Sequence, residues 1–222
     1  MYEIVFFAGG LGTRLRNTED LPKPFVAING ISLISRIILS FYKTNIFSKF
    51  HVLTCSDNDI YSEILYKELP KLDIRIYSEP KRSGRSGALK FLIHQNQLLN
   101  KFFVANGDTL FSKLNAKEII GGINSLKKDI PLTYLAKPDP YRDDYLAVAK
   151  TNGEKSKRYQ NSGLFFVSRN WLENNVFIYD NLEDIDFYLY SPNNNVQNCF
   201  LNCNLFDAGT PERLSQIRSL II

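Results

Sequence analysis

Residues 8–15 read Ala-Gly-Gly-Leu-Gly-Thr-Arg-Leu and directly follow the apolar run Glu3–Phe7. The run is rich in β-branched and aromatic residues, which predicts a first β-strand. Three glycines after it, Gly9, Gly10 and Gly12, permit positive φ and let backbone N–H groups approach an anion closely. The stretch therefore predicts the start of an α/β unit that carries an anion-binding loop.

Strand-like and helix-like patterns alternate in the chain that follows. Helical periods are centred on residues 33–41, 61–65 and 86–93, and a further helix is predicted near Ala116–Leu126. The predicted strands are Phe50–Thr54, Ile74–Tyr77, Phe102–Ala105, Leu132–Ala136, Leu146–Ala149, Leu164–Ser168 and Phe200–Phe206. The last helix begins after Thr210, a good N-cap, with Pro211 and Glu212 in its first turn. This order predicts an α/β fold with a mostly parallel mixed sheet.

The glycine loop fits neither of two common phosphate-binding motifs. A dinucleotide fingerprint would need a third glycine where Leu15 stands, and a Walker loop would need Gly-Lys-Ser/Thr. The loop instead ends in Arg14, and Lys23 follows in Leu-Pro-Lys-Pro, residues 21–24. Two cations beside backbone donors suit a triphosphate, although a glycine turn with solvated charges remains the simple alternative.

Two aspartates follow predicted strands at distant points of the chain. Asp108 stands in Asn-Gly-Asp-Thr, residues 106–109, and Asp207 stands in Phe-Asp-Ala-Gly-Thr-Pro, residues 206–211. Ligands of open α/β sheets bind at the carboxyl ends of the strands, so both carboxylates are candidate ligands of one Mg²⁺. Each aspartate alone could equally form a turn or cap a helix.

Composition narrows the class of protein. The 222 residues are 44% hydrophobic, which is enough for a sizeable core, and the net charge of +4 is too mild to indicate nucleic acid. Three cysteines lack the spacing of a disulfide framework or a zinc site and fit a reducing cytoplasm. No apolar run approaches a membrane span, and the first residues read as a strand and not as a signal peptide. We expect a cytoplasmic protein with no membrane or nucleic-acid partner.

The motifs Gly-Gly-Leu-Gly-Thr-Arg-Leu and Leu-Pro-Lys-Pro resemble the signature of the sugar-1-phosphate nucleotidyltransferases, and the match extends along most of the chain. The resemblance implies a Rossmann-like three-layer sandwich of the nucleotidyltransferase, glycosyltransferase-A-like, type. It gives Arg14 and Lys23 catalytic roles at the triphosphate and makes Asp108 and Asp207 ligands of Mg²⁺. The implied nucleotide-binding residues are Ala8, Gly9, Gly10, Gly12, Thr13, Glu79, Gly84, Ser86 and Gly87. The implied sugar-phosphate-binding residues are Asn106, Glu154, Lys155, Asn161 and Gly163.

The chain departs from the family pattern at three places near the implied site. Ala208 replaces a usual isoleucine and leaves the neighbouring carboxylate intact. Arg85 stands where a small hydroxyl residue is usual, which predicts altered recognition of the base. The segment around Lys155 is short, so Lys157 or Arg158 could take its place, or the segment could be a solvated basic turn. Glu183 resembles a family element near the sugar, and an exposed helix start would explain it equally well.

Among members of this family, the chain in its compact length most resembles the bacterial D-glycero-D-manno-heptose 1-phosphate guanylyltransferases. We therefore expect a nucleoside triphosphate, GTP by resemblance, and a heptose or hexose 1-phosphate as substrates for surface polysaccharide synthesis. One domain, residues 1–222, would hold the nucleotide in residues 1–112 and the sugar phosphate in residues 113–222. Two alternative functions are a cytidylyltransferase acting on a non-sugar phosphate such as phosphocholine and an inactive regulatory subunit. The protein could form a homodimer in each case.

Overall fold

The structure is a computed structural model that describes residues 1–10, 21–54, 58–95, 98–126, 128–137, 147–148, 158–178, 184–190 and 195–220. The helices in these ranges are α1 (Leu33–Tyr42), α2 (Asn58–Glu68), α3 (Gly84–His94), α4 (Ala116–Asn124), α5 (Arg169–Asn175), α6 (Ile185–Tyr190) and α7 (Pro211–Leu220). The strands are β1 (Tyr2–Phe7), β2 (Ala27–Ile28), β3 (Ile31–Ser32), β4 (Phe47–Thr54), β5 (Ile74–Ser78), β6 (Lys101–Asn106), β7 (Thr109–Phe111), β8 (Leu132–Lys137), β9 (Ala147–Val148), β10 (Arg158–Ser168) and β11 (Gln197–Asp207). A short 3₁₀ helix covers Lys23–Phe25.

One large sheet runs through the described part of the chain in the order β5-β4-β1-β6-β10-β8-β11-β7, and β9 pairs with β10. The first four strands of that order are parallel to one another. Beyond β6, antiparallel strands join the sheet, and β8 and β11 form a further parallel pair. The parallel part of the sheet contains β1, and Ala8–Gly10, the described start of the glycine loop, directly follow that strand.

Helices cover both faces of the sheet. Alternate residues of a strand point to opposite faces, so Ile4 and Phe6 pack with α1, α2, α4 and α7, whereas Val5 packs with α3, α5 and α6. Phe103 and Val104 divide in the same way on β6. One helical layer packs on each face of the sheet, which confirms the three-layer α/β sandwich that the family resemblance implies.

Most predicted elements are confirmed, and in the second half the structure adds the helices α5 and α6, which the sequence analysis does not predict, and differs in two strands. Strand β10 begins at Arg158, before the predicted start at Leu164, because its polar first residues pair with β9 and β8 across a bulge between Asn161 and Leu164. The short strand β7, which no periodic pattern announces, pairs with β11. The Thr210 hydroxyl accepts from the Arg213 amide at 3.3 Å, which confirms the predicted cap of α7.

Among the described residues, no helix has the length and apolar character that crossing a membrane would require.

Candidate active site

The glycine loop and Asp108 leave the sheet side by side. Strand β1 pairs in parallel with β6, so Phe7 lies opposite Asn106, and Ala8–Gly10 begin beside the turn Gly107–Asp108. The Gly107 amide donates to the Phe7 carbonyl at 3.0 Å. A Cβ at position 107 would come within 2.6 Å of that carbonyl oxygen, so only glycine allows the two backbone segments to approach this closely.

Asp207 reaches the same place from the other half of the chain. Strand β11 pairs with β7 in the register that sets Asp207 opposite Thr109, the residue after Asp108. The Arg213 Nη1 atom lies 3.5 Å from Asp207 Oδ2 and adds a positive charge from the first turn of α7. Two carboxylates that are separated by 99 positions in the sequence therefore become neighbours through strand pairing.

The ammonium group of Lys23 lies between these two carboxylates. Lys23 Nζ donates to Asp108 Oδ2 at 2.9 Å and to Asp207 Oδ1 at 2.5 Å. The lysine is 9% exposed, and it is held in the short 3₁₀ helix that Pro22 and Pro24 favour. The Lys23 cluster, defined as Lys23, Asp108 and Asp207, thus joins three of the residues selected from the sequence.

Beyond the end of β5, a loop leads into α3 with a buried carboxylate at its start. Glu79 is 8% exposed, and the Ser83 hydroxyl donates to Glu79 Oε2 at 2.8 Å. Burial raises the pKa of Glu79, and the hydrogen bond from Ser83 opposes that rise. A buried carboxylate of this kind favours a ligand with hydrogen-bond donors, since such a ligand offsets the lost hydration.

On the other side of the sheet centre, the bulge of β10 places Asn161 and Gly163 beside Asn106. The Gly163 amide donates to Asn161 Oδ1 at 2.8 Å. Gly163 has φ +70°, and a Cβ there would come within 2.3 Å of Asn106 Nδ2. Both the backbone conformation and the contact require glycine at this position.

Two adjoining pockets open among the described residues at this edge. The α3 pocket has a volume of about 200 Å³ and is lined by Phe7, Gly9, Gly10, Leu53, Glu79, Arg82, Gly84, Arg85, Ala88 and Asp184. The carboxylate pocket has a volume of about 370 Å³ and is lined by Phe7, Gly10, Arg85, Asn106, Asp108, Thr109, Gln160, Asn161, Asp186 and Asp207. Phe7, Gly10 and Arg85 line both pockets, so the two spaces share one wall.

The remaining sequence-selected residues divide into two groups. Ser86 and Gly87 are buried in the first turn of α3, and neither lines the two pockets. Five selected residues, together with Glu183 and Lys157, lie outside the described residues: Gly12, Thr13, Arg14, Glu154 and Lys155.

The sequence patterns did not select every side chain at this edge. Arg82, Gln160, Asp184 and Asp186 line the pockets but are not among the site residues selected from the sequence. Arg213 also escaped selection, although its place in the turn after the Asp207 motif was a usable signal, because an arginine in the first turn of α7 can reach back to that carboxylate.

Open α/β sheets bind their ligands at the carboxyl ends of their parallel strands, and the described start of the glycine loop, the Lys23 cluster and Glu79 lie together at such an edge. The chain belongs to the nucleotidyl transferase family, whose model matches residues 4–175. The sequence-based resemblance to the nucleotidyltransferases is therefore confirmed, and the chain is an enzyme of the nucleotidyltransferase class.

Solved structures share the fold over the whole chain. HddC from Yersinia pseudotuberculosis is 24% identical with a TM-score of 0.78, and 100% of each chain is covered. HddC complexed with GMP-PN gives a TM-score of 0.75 at the same identity and coverage. The inositol-1-phosphate CTP transferase from T. maritima is 19% identical with a TM-score of 0.74, covering 100% of this chain and 98% of that one. No curated protein matches the sequence.

Proposed function

We propose that this enzyme transfers a nucleotidyl group from GTP to heptose 1-phosphate or a related hexose 1-phosphate, releasing pyrophosphate. The observation that carries the proposal is the Lys23 cluster, in which one buried ammonium group bridges two carboxylates beside the glycine loop. Such a cluster gathers the charges that phosphoryl-transfer chemistry needs, since that chemistry depends on alignment and charge compensation and not on a protein nucleophile.

The two carboxylates fit a Mg²⁺ ion. Asp108 and Asp207 already converge on one cationic atom, Lys23 Nζ, at hydrogen-bond distance. Among the described residues no group of three metal-ligating side chains converges, which suits an ion that binds to one or two carboxylates and takes its other ligands from phosphates and water. When bound there, Mg²⁺ would neutralise phosphate charge and polarise the α-phosphate.

The protein groups then orient the displacement. An oxygen of the acceptor phosphate attacks the α-phosphorus, the bond from that phosphorus to the bridging oxygen of the β-phosphate breaks, and pyrophosphate leaves with the electron pair. Lys23 and Arg14 compensate the charge of the triphosphate and of the departing pyrophosphate. The glycine loop supplies backbone donors to the same phosphates.

Glu79 supports guanine as the base. The α3 pocket presents this carboxylate, and a carboxylate accepts hydrogen bonds without donating any. Guanine carries two adjacent N–H donors on its Watson–Crick edge, whereas uracil and thymine carry one donor between two acceptors. We therefore assign the nucleoside to the α3 pocket and its base to Glu79, with Gly84 at the start of the supporting helix.

We assign the acceptor to the carboxylate pocket. Asn106 and Asn161 give that pocket amide groups that can both donate to phosphate and accept from hydroxyls. Glu154 and Lys155, carried over from the family, complete the acceptor site in this proposal. Residues 1–112 would then hold the nucleotide, and residues 113–222 would hold the acceptor together with Asn106 from the first part, within one functional unit located in the cytoplasm.

A pyrophosphate-release assay tests this function. GTP, CTP, UTP, dTTP and ATP are each offered with a panel of hexose and heptose 1-phosphates, with phosphocholine, and without acceptor, in the presence and absence of Mg²⁺. We expect Mg²⁺-dependent release that needs a sugar 1-phosphate and is fastest with GTP. Release with CTP and phosphocholine would favour the cytidylyltransferase, and no release with any pair would refute the proposed reaction.

A further inference from the structure

Arg85 is tied to three side chains from other parts of the fold. Its Nε and Nη2 atoms donate to the two carboxylate oxygens of Asp184 at 3.1 and 2.5 Å. Nη2 also donates to Asp186 Oδ2 at 2.7 Å, and Nη1 donates to Asn106 Oδ1 at 3.3 Å. Such a forked arrangement fixes a guanidinium group far more firmly than one salt bridge on a surface would.

These contacts join separate elements at the boundary of the two pockets. Arg85 lies in the first turn of α3, Asp184 and Asp186 lie at the start of α6, and Asn106 ends β6. Arg85 lines both pockets, while Asp184 lines the α3 pocket and Asp186 lines the carboxylate pocket. The partition, defined as Arg85, Asp184 and Asp186, therefore separates the two pockets and presents one carboxylate to each.

The charge of the partition decides what it can bind. One guanidinium faces two carboxylates, so the partition carries an excess negative charge and does not offer a free cation to a phosphate. Burial lowers the pKa of Arg85, but the two aspartates outweigh burial and raise it, which keeps the group charged. The Asp186 side chain remains 40% exposed, so its carboxylate can accept hydrogen bonds from hydroxyl groups.

We propose that Arg85 is a positioning residue that determines acceptor specificity by holding Asp186 at the wall of the carboxylate pocket, where its carboxylate accepts hydrogen bonds from the acceptor hydroxyls. This role rests on the proposed function, because it needs the acceptor to occupy the carboxylate pocket. It selects a polyhydroxylated phosphate, since a ligand without hydroxyls displaces water from the Asp186 carboxylate without replacing the hydrogen bonds that this water made.

The test compares Arg85→Thr, Asp186→Asn and the double variant with the wild-type enzyme. KM and kcat are measured for a sugar 1-phosphate that the wild-type enzyme uses and for its monodeoxy analogues. We expect Arg85→Thr and Asp186→Asn each to raise the acceptor KM by about tenfold, the effect of one lost charge-assisted hydrogen bond, with a smaller change in the KM for the nucleotide. The preference for the full sugar over the deoxy analogue at the critical position should shrink equally in both variants.

The double variant and two further variants separate positioning from folding. The double variant should lose no more acceptor affinity than either single variant, because both changes remove the same contact. Arg85→Lys keeps a charge without the fork and should restore part of the hydroxyl preference. Arg75→Thr removes an arginine that pairs with Asp73 at 3.7 Å on β5 and lines neither pocket, so it should leave the acceptor KM unchanged.

The outcomes distinguish this role of Arg85 from the proposed nucleotidyl transfer on which it rests. Absence of turnover by the wild-type enzyme with every sugar 1-phosphate would overturn the proposed function and this role together. Turnover by the wild-type enzyme with an undiminished hydroxyl preference in Arg85→Thr would overturn this role alone. If Arg85→Thr fails to fold, Asp186→Asn decides alone, since it retains the bond between Arg85 and Asp184, and an unchanged hydroxyl preference in that variant would also overturn the role.

Discussion

Replacing Lys23 by methionine removes the charge that holds Asp108 and Asp207 together while keeping most of the side-chain volume. The ammonium group makes hydrogen bonds of 2.9 and 2.5 Å, and the side chains of Lys23, Asp108 and Asp207 are 11%, 38% and 16% exposed. Breaking a fully buried pair costs about 3–5 kcal/mol, but Asp108 can regain water here, so we expect a loss of about 2–3 kcal/mol. For a protein of this size the melting temperature should fall by about 5–10 °C.

Activity should fall by more than this loss of stability explains. Removing one preorganised charge donor from a transition state costs about 10²–10³ in kcat, and Lys23→Met should lose at least that much in pyrophosphate release. Lys49→Met is the matched control. Lys49 Nζ pairs with the buried Glu3 at 2.7 Å, so this variant should also melt earlier while kcat/KM stays close to that of the wild-type enzyme.

A second change separates the two effects of Lys23. In Lys23→Met/Asp207→Asn, one of the facing charges is neutralised, so part of the lost melting temperature should return. The activity should not return, because neither the cation nor the second carboxylate is present. Retention of more than about a tenth of wild-type kcat/KM by folded Lys23→Met would refute the central role given to this lysine.

Three more outcomes follow from individual residues. Glu79→Gln should reduce the preference for GTP over UTP by about tenfold or more, because the amide replaces one acceptor oxygen with a donor. The measurement is the ratio of kcat/KM for GTP to kcat/KM for UTP. An unchanged ratio would show that Glu79 does not recognise the base. The enzyme should lose stability as the pH falls from 6.5 towards 4, since burial of the uncharged ring lowers the pKa of His51 to about 4 and the unfolded state binds the proton first. Chemical unfolding across this range should show a loss of about 3 kcal/mol that is absent in His51→Phe; an equal loss in that variant would assign it to other groups. Gly163→Ala should lower the free energy of unfolding by about 1–2 kcal/mol and raise the acceptor KM by displacing Asn106. The control Gly121→Ala, at an open helical position, should be neutral or stabilising. Equal melting temperatures in the two variants would contradict the strain at Gly163.

The first half of the fold could be predicted because its strands are buried on both faces. Such strands are continuous apolar runs, as in Phe102–Ala105, and the helices between them show a clear period. Helix α7 was equally predictable from the local chemistry of Thr210 and Pro211. In contrast, the start of β10 at Arg158 depends on a bulge and on pairing with β8 and β9, which leave no regular pattern in the sequence.

The site, like the fold, contains contacts that could be predicted from the sequence and contacts that could not. The meeting of Asp108 and Asp207 could be expected, because residues after strands of one sheet can share its edge. The bond of Lys23 to both carboxylates was not expected, since the sequence suggested only a cation for a triphosphate. The partners of Arg85 were also hidden, because Asp184 and Asp186 lie about a hundred positions away and meet it only through the packing of α6 against α3.

The most direct test of the central claim follows the phosphorus atoms of the nucleotide. The wild-type enzyme is incubated with Mg²⁺, a sugar 1-phosphate and GTP labelled with ³²P at either the α or the γ position, and Asp108→Asn serves as the control that weakens the Lys23 cluster. We predict that the α label appears in a nucleotide sugar and the γ label in pyrophosphate, and that both products nearly vanish in Asp108→Asn. Transfer of the γ label to the sugar, or normal labelling by Asp108→Asn, would contradict nucleotidyl transfer at this site.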